Sequence, residues 1–207
     1  MNTLIIDCSN GLNIWVNANG KTYQYSNLQA KKQSDSLLAE IDDLIKQAGL
    51  TIKQISVIAV NVGPGSFTGI RVAISTAKGL AIGSGAKVIT FNSFESVSAG
   101  ITDKNYGVIT LGFGNNYYYY FKKFGKVFQG CATPDKLEVL AKDTPIYSLY
   151  DSVCNSITQY NVLLAKNNTL KAVEEKINKQ MFVQTNQISP LYLRASQAEL
   201  ERLKNGN

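Results

Sequence analysis

Residues 55–82 constrain the fold more than any other stretch of the chain. Ile55–Val60 is a run dominated by β-branched apolar residues, as expected of a strand buried on both faces. Gly63-Pro64-Gly65-Ser66-Phe67-Thr68-Gly69 follows at once, and then a helical pattern from Thr68 to Ile82. That helix is apolar nearly all round, leaving a narrow polar stripe at Arg71, Ser75 and Lys78. It must be covered on nearly all sides. A doubly buried strand feeding such a helix requires a layered α/β fold.

The flanking pattern narrows the choice. Thr3–Cys8, Leu12–Val16 and Lys21–Tyr25 read as strands separated by Ser9-Asn10-Gly11 and Asn19-Gly20, an antiparallel meander. Leu37, Leu38, Ile41, Leu44, Ile45 and Ala48 form one face of an amphipathic helix, with Ser34 as N-cap and Gly49 as its stop. Lys87–Phe91 is a fifth strand. The order β-β-β-α-β-α-β predicts three antiparallel strands joined to parallel ones by helical crossovers. It matches the ribonuclease H-like or actin-like ATPase core. Residues 104–207 read as strands at Tyr106–Gly112, Tyr117–Phe124 and Lys126–Gln129, with helices at Pro134–Ala141, Thr169–Lys179 and Ala195–Lys204. The expected organisation is an actin-like lobe over 1–103 and a smaller lobe over 104–207. Each lobe carries a mixed sheet of the five-stranded type flanked by helices, and the terminal helix packs back on the first lobe.

Composition removes several chemistries. The chain has no histidine, so neither a Ser-His-Asp nor a Cys-His nucleophile pair can form, nor an HExxH zinc site. Cys8, Cys131 and Cys154 are far apart and form no CxxC, so they read as reduced, mostly buried thiols. Asp7 breaks the first apolar run and no basic segment precedes it, unlike a secretory leader. A cytoplasmic location is the expectation. Residues 1–103 hold 8 basic and 7 acidic residues, and 104–207 hold 13 and 8, so the +6 net charge sits mainly in the second half. Such an excess suits an anionic partner or a solvated surface.

A nuclease of this fold needs clustered carboxylates, yet Asn61 stands where a third would join Asp7 and Glu40. Asp7 reads instead as a cap for local backbone. A kinase needs a second phosphate turn beside an acid, and Gly112-Phe113-Gly114-Asn115 has none. The first turn fits neither GxxxxGK[ST] nor GxGxxG, and reads either as purely structural or as an anion or partner site. Tyr117–Phe121 beside Lys122 and Lys123 reads as sheet packing ahead of RNA stacking. The small residues Ala73, Thr76, Ala77 and Gly83 allow a helix to approach closely. That neighbour is either the first helix of the same chain or, the favoured reading, another subunit. The candidate interface is Leu38, Ile41, Ile45, Ala73, Thr76, Ala77 and Leu80.

VGPGSFTGIRVAISTAKGLA at 62–81 resembles the signature of the TsaB (YeaZ) family. LIIDCS, SDSLLAEIDDLIKQAGL and Pro190-Leu191-Tyr192-Leu193-Arg194 are also similar to it. The turn residues Gly63, Pro64, Gly65, Ser66, Phe67, Thr68, Gly69 and Arg71 carry the likeness. The resemblance implies an actin-like fold and a non-catalytic subunit of the machinery that forms N6-threonylcarbamoyladenosine in tRNA, 3′ of the anticodon. It implies TsaD and TsaE homologues as partners, a homodimer in isolation, and ATP or ADP and metal held by TsaD rather than by this chain. A stand-alone RNA-binding protein using the basic second lobe is the alternative. The sequence departs from the family at Gln33, where many relatives have histidine. It departs again at Gly112–Tyr119, which lacks the family's D-A-R-x-x-E-V-Y charges.

Overall fold

The computed structural model describes residues 1–28 and 33–194, with backbone alone at 33–35. Its described residues fall into two compact units, 1–93 with 170–191, and 94–169 with 192–194.

In the first unit β1 (Thr3–Asp7), β2 (Leu12–Ala18) and β3 (Lys21–Asn27) form the expected meander. Next come α1 (Gln33–Gln47), β4 (Val57–Asn61), α2 (Phe67–Ser84) and β5 (Lys87–Phe91). The strand order is β3-β2-β1-β4-β5. β2 pairs antiparallel with β1 and β3, while β1–β4 and β4–β5 are parallel. Alternation along each central strand builds two cores. Leu4, Ile6, Ile58 and Val60 face α1 and α2. Ile5, Val57, Ala59, Ile89 and Phe91 face the opposite layer. Gly49 and Gly85 end α1 and α2 at φ 70° and 81°, where a Cβ would be strained. α1 begins at Gln33, so Ser34 lies within the helix rather than before it.

The second unit repeats this topology. After α3 (Glu95–Ser98) come β6 (Tyr106–Phe113), β7 (Asn116–Lys123) and β8 (Lys126–Ala132), a second antiparallel meander. α4 (Glu138–Ala141), β9 (Ile146–Ser148), α5 (Asp151–Ser156) and β10 (Val162–Leu164) complete it. The order β10-β9-β6-β7-β8 is the counterpart of the first sheet, again with parallel crossover pairs. The predicted helix at Pro134–Ala141 is a 3-10 turn followed by one α-helical turn.

The boundary between the units differs from the expected residue 103. Phe94 and Val97 already pack with Tyr106, Val108 and Tyr118 in the second unit's core. α6 (Thr169–Asn178) contributes Leu170, Val173 and Ile177 to the second layer of the first unit. The expected helix at 195–204 lies outside the described residues. Among the described residues no helix is long and apolar enough to cross a membrane.

Candidate functional site

The glycine-rich turn connects the buried end of β4 to α2. Asn61 ends β4 fully buried and organises the turn. Its Oδ1 accepts the Gly63 N–H at 2.8 Å, and its Nδ2 donates to Ser9 Oγ at 3.3 Å and Ser93 Oγ at 3.2 Å. Ser93 Oγ donates to the Pro64 carbonyl at 2.8 Å, and the Ser93 N–H to the Gly63 carbonyl at 2.9 Å. The Gly63–Pro64 peptide is cis. The Ser66 N–H donates to the Ser9 carbonyl at 2.8 Å, and Ser66 Oγ caps α2 by accepting the Gly69 N–H at 3.2 Å.

Each glycine answers a separate demand. Gly63 has φ 107°, open to glycine alone at little cost. A Cβ at Gly65 would stand 2.4 Å from the Ser9 carbonyl oxygen, and one at Gly69 would stand 2.1 Å from that of Cys8. The turn therefore lies directly on the end of β1. The Gly63, Ser66 and Gly69 N–H groups, which could have cradled an anion, are spent on the protein's own oxygens. This favours the structural reading of the turn over the anion site. Pro64 is buried, Phe67 is half-buried, and Thr68 and Arg71 are exposed on the first turns of α2.

Asp7 caps local backbone as expected, with Oδ1 accepting the Ser9 N–H at 2.8 Å. Burial, assisted by the Asp7 charge, pushes the Cys8 thiol up to about 12. Cys8 is therefore a packed side chain and no thiolate nucleophile near neutral pH. Among the described residues no three His, Cys, Asp or Glu side chains converge as a metal site would require.

The predicted interface residues separate into two groups. Ile41, Ile45, Ala73 and Ala77 are buried in the first unit's own core, between α1, α2 and the sheet. They cannot form a docking surface of the folded chain. The small residues at 73 and 77 serve packing within the chain, the reading that was not favoured. A charge at Ala77 would test the core, not a partner. Leu38 is 58% exposed, while Thr76 and Leu80 are half-buried.

The open face of α2 is made of other residues. At 100° per residue, Val72, Ser75, Gly79, Ile82 and Gly83 lie on one side, opposite Ala73, Ala77 and Ala81. Ile82 is 74% exposed. A Cβ at Gly79 or Gly83 would meet nothing within 4 Å. Two glycines inside a helix cost about 0.5–1 kcal/mol each relative to alanine, and nothing in this unit requires them. Their i, i+4 spacing was readable in the sequence as a place where another backbone can come close. Of the pair, Gly83 was read among the small residues that let a helix approach, whereas Gly79 was not, because apolar periodicity marks what is buried.

Both faces of the second sheet are occupied. Phe121, with Tyr117 and Tyr119, joins the core under α4 and α5, while Tyr118 and Tyr120 join Phe94 and Tyr106 on the other side. Tyr118 Oη accepts from Arg194 Nε at 2.9 Å. The tyrosine run is sheet packing, as the sequence favoured.

Comparison with known proteins adds the family. The family model described as TsaD, tRNA N6-adenosine threonylcarbamoyltransferase, matches residues 27–138. The tRNA threonylcarbamoyladenosine biosynthesis protein TsaB of Haemophilus influenzae is 32% identical over 79 residues, 38% of this chain and 34% of that protein. The Escherichia coli TsaB is 29% identical over 86 residues, 42% of this chain and 37% of that protein. The matched segment thus spans about a third of the length of these relatives. A Pseudomonas aeruginosa crystal structure, titled as similar to peptidase YeaZ, superposes with a TM-score of 0.75 over 93% of this chain and 99% of that one. At 18% identity that likeness speaks to the fold alone. The two five-stranded sheets are those of an actin-like, ribonuclease H-like fold.

Proposed function

This chain belongs to the TsaB (YeaZ) family, within the wider family of the threonylcarbamoyltransferase TsaD, and on that footing we propose that it is a non-catalytic partner subunit in the formation of N6-threonylcarbamoyladenosine in tRNA. Nucleotide, metal and the transfer chemistry are assigned to a TsaD-type partner, with a TsaE-type ATPase as a further component. The observation that carries the reading is the open face of α2. Gly79 and Gly83 are unexplained within the chain, and Ile82 beside them is exposed. A helix laid across two glycines can approach backbone to backbone, where its neighbours gain dispersion contacts that longer side chains would prevent. Leu38 on α1 is exposed as well.

The scattered carboxylates, the absence of histidine and the raised Cys8 thiol support placing catalysis elsewhere. The surface at Ile82 also suits a second copy of the chain, so a homodimer in isolation that yields to the heteromer fits the same geometry. Light scattering on the purified chain, alone and mixed with the TsaD-type protein of the same source, tests the proposal. A defined heteromer is expected. A chain that keeps its own mass in the mixture would overturn it.

A further inference from the structure

We propose that the β7–β8 hairpin tip is an RNA-binding wedge, in which Phe124 stacks on an unpaired base while Lys122 and Lys126 hold the neighbouring phosphates. The choice of RNA rests on the function proposed above. The geometry rests on the hairpin itself. Phe124 is 83% exposed at the tip, the most exposed aromatic side chain among the described residues. It also has φ 50°, a left-handed conformation in which a bulky side chain is an outlier. Gly125 follows at φ 76°, and Lys123 pairs with Lys126, so the loop is a two-residue turn that asks for Asn or Gly at the first position. The chain places phenylalanine there instead. Strained residues persist where the surroundings hold them, and they concentrate at functional positions.

The surroundings do hold it. The Phe124 N–H donates to Asn105 Oδ1 at 2.9 Å. Lys123 Nζ donates to the Leu140 carbonyl at 3.3 Å and the Lys142 carbonyl at 2.8 Å, tying the hairpin to the end of α4. The aromatic ring is thus presented on a braced tip, which lowers the ordering cost of binding.

Charge selects the partner. The meander from Tyr106 to Ala132 contains three lysines and no Asp or Glu, so +3 of the +5 carried by residues 104–207 falls on it. Strand alternation puts Lys122 on one face of the ribbon and Lys123 and Lys126 on the other. Lys122 and Lys126 are exposed and have no carboxylate partner among the described residues. An aromatic ring between cations matches a base with phosphates on either side, the way single-stranded nucleic acid is gripped. A membrane surface would ask for a broader apolar area, whereas here Phe124, Val127 and Phe128 are the exposed apolar side chains and lysines interleave them.

The test measures fluorescence anisotropy of a labelled, unmodified tRNA transcript, with the full chain alone and with its TsaD-type partner. Phe124→Ala is expected to weaken binding about tenfold or more, and Phe124→Trp to restore it. The pair Lys122→Ala and Lys126→Ala is expected to reduce the slope of log affinity against log salt by about 1.5. Light scattering with the partner should be unchanged in every variant, because the tip lies outside the first unit's helices. If Phe124→Ala and the lysine variants bind tRNA as the unmodified chain does, the wedge is wrong even where the heteromer forms. If Phe124→Ala instead loses only binding to phosphatidylserine vesicles, the tip is a membrane contact and the proposal is equally overturned. If tRNA affinity falls as expected but no heteromer forms, the wedge stands and the subunit reading fails.

Discussion

The two units share one topology and spend it differently. In the first, the crossovers are long helices, α1 over 15 residues and α2 over 18, laid on strands of five residues or more. In the second, the equivalent crossovers are α4 with four residues and α5 with six, and β9 and β10 have three each. The first unit therefore carries a helix, α2, whose outer face is left open. The second unit has little helical surface and instead exposes its meander, with Phe124, Val127 and Phe128 at the tip and along the edge strand. One fold, filled to different depths, leaves an open helix face in one copy and an exposed lysine-bearing β-ribbon in the other.

The comparison extends to a single structural device. Both units end the first crossover strand in a fully buried polar residue that accepts the N–H two residues further on. In the first unit Asn61 accepts from Gly63 at 2.8 Å, and in the second Ser148 accepts from Tyr150 at 3.2 Å. Asn61 has further partners in Ser9 and Ser93, and the glycine turn is built on them. The second unit keeps the bond without the turn.

Substitutions can break this comparison, starting where the effect is greatest. Gly69→Ala drives a Cβ against the backbone of Cys8 and is expected to cost about 3 kcal/mol or more, since backbone cannot yield as a side chain can. Trp15, the sole tryptophan, lies in the first unit's core, so its fluorescence during urea unfolding reports the loss. Asn61→Ala leaves several buried groups without partners and should cost about 2–4 kcal/mol, against about 1 kcal/mol for Ser148→Ala. Equal losses at the two positions in calorimetric unfolding would mean that the turn network adds nothing to the shared bond. Gly79→Ala or Gly83→Ala should stabilise the isolated chain by about 0.5–1 kcal/mol while weakening partner association. A stability gain with unchanged association would leave those glycines without a function. Phe124→Gly relieves the left-handed strain and should raise stability by about 0.5 kcal/mol as tRNA affinity falls. Thermal unfolding beside anisotropy checks both signs.

The first unit was legible in the sequence because its strands and helices are long enough to display a period. Lys87–Phe91 and the meander came out nearly to the residue. The second unit was legible only in its meander, because Ile146–Ser148 and Val162–Leu164 are too short to alternate and Asp151–Ser156 completes under two turns. The expectation of a second five-stranded-type sheet held, but its two short parallel strands were not located in the sequence. At Tyr117–Phe121 both faces are buried, so hydrophobicity alone could not separate them. The turn was legible as a motif, but its anchoring on Ser9, Asn61 and Ser93 joins positions up to 52 apart in sequence. Of the candidate interface residues, Ile41, Ile45, Ala73 and Ala77 face the core of their own unit. Ala73 and Ala77 looked available because they are small, whereas their burial follows from the sheet beneath them.

Isothermal titration of the TsaD-type partner with the unmodified chain and with Gly79→Leu tests the central claim most directly. The leucine has open space in the isolated chain, so its fold should be kept, as far-UV circular dichroism would verify. The account predicts tight association of the unmodified chain and at least a 100-fold weaker affinity for the variant, about 2.7 kcal/mol. Equal affinities would contradict it, and would move the docking surface away from the open face of α2.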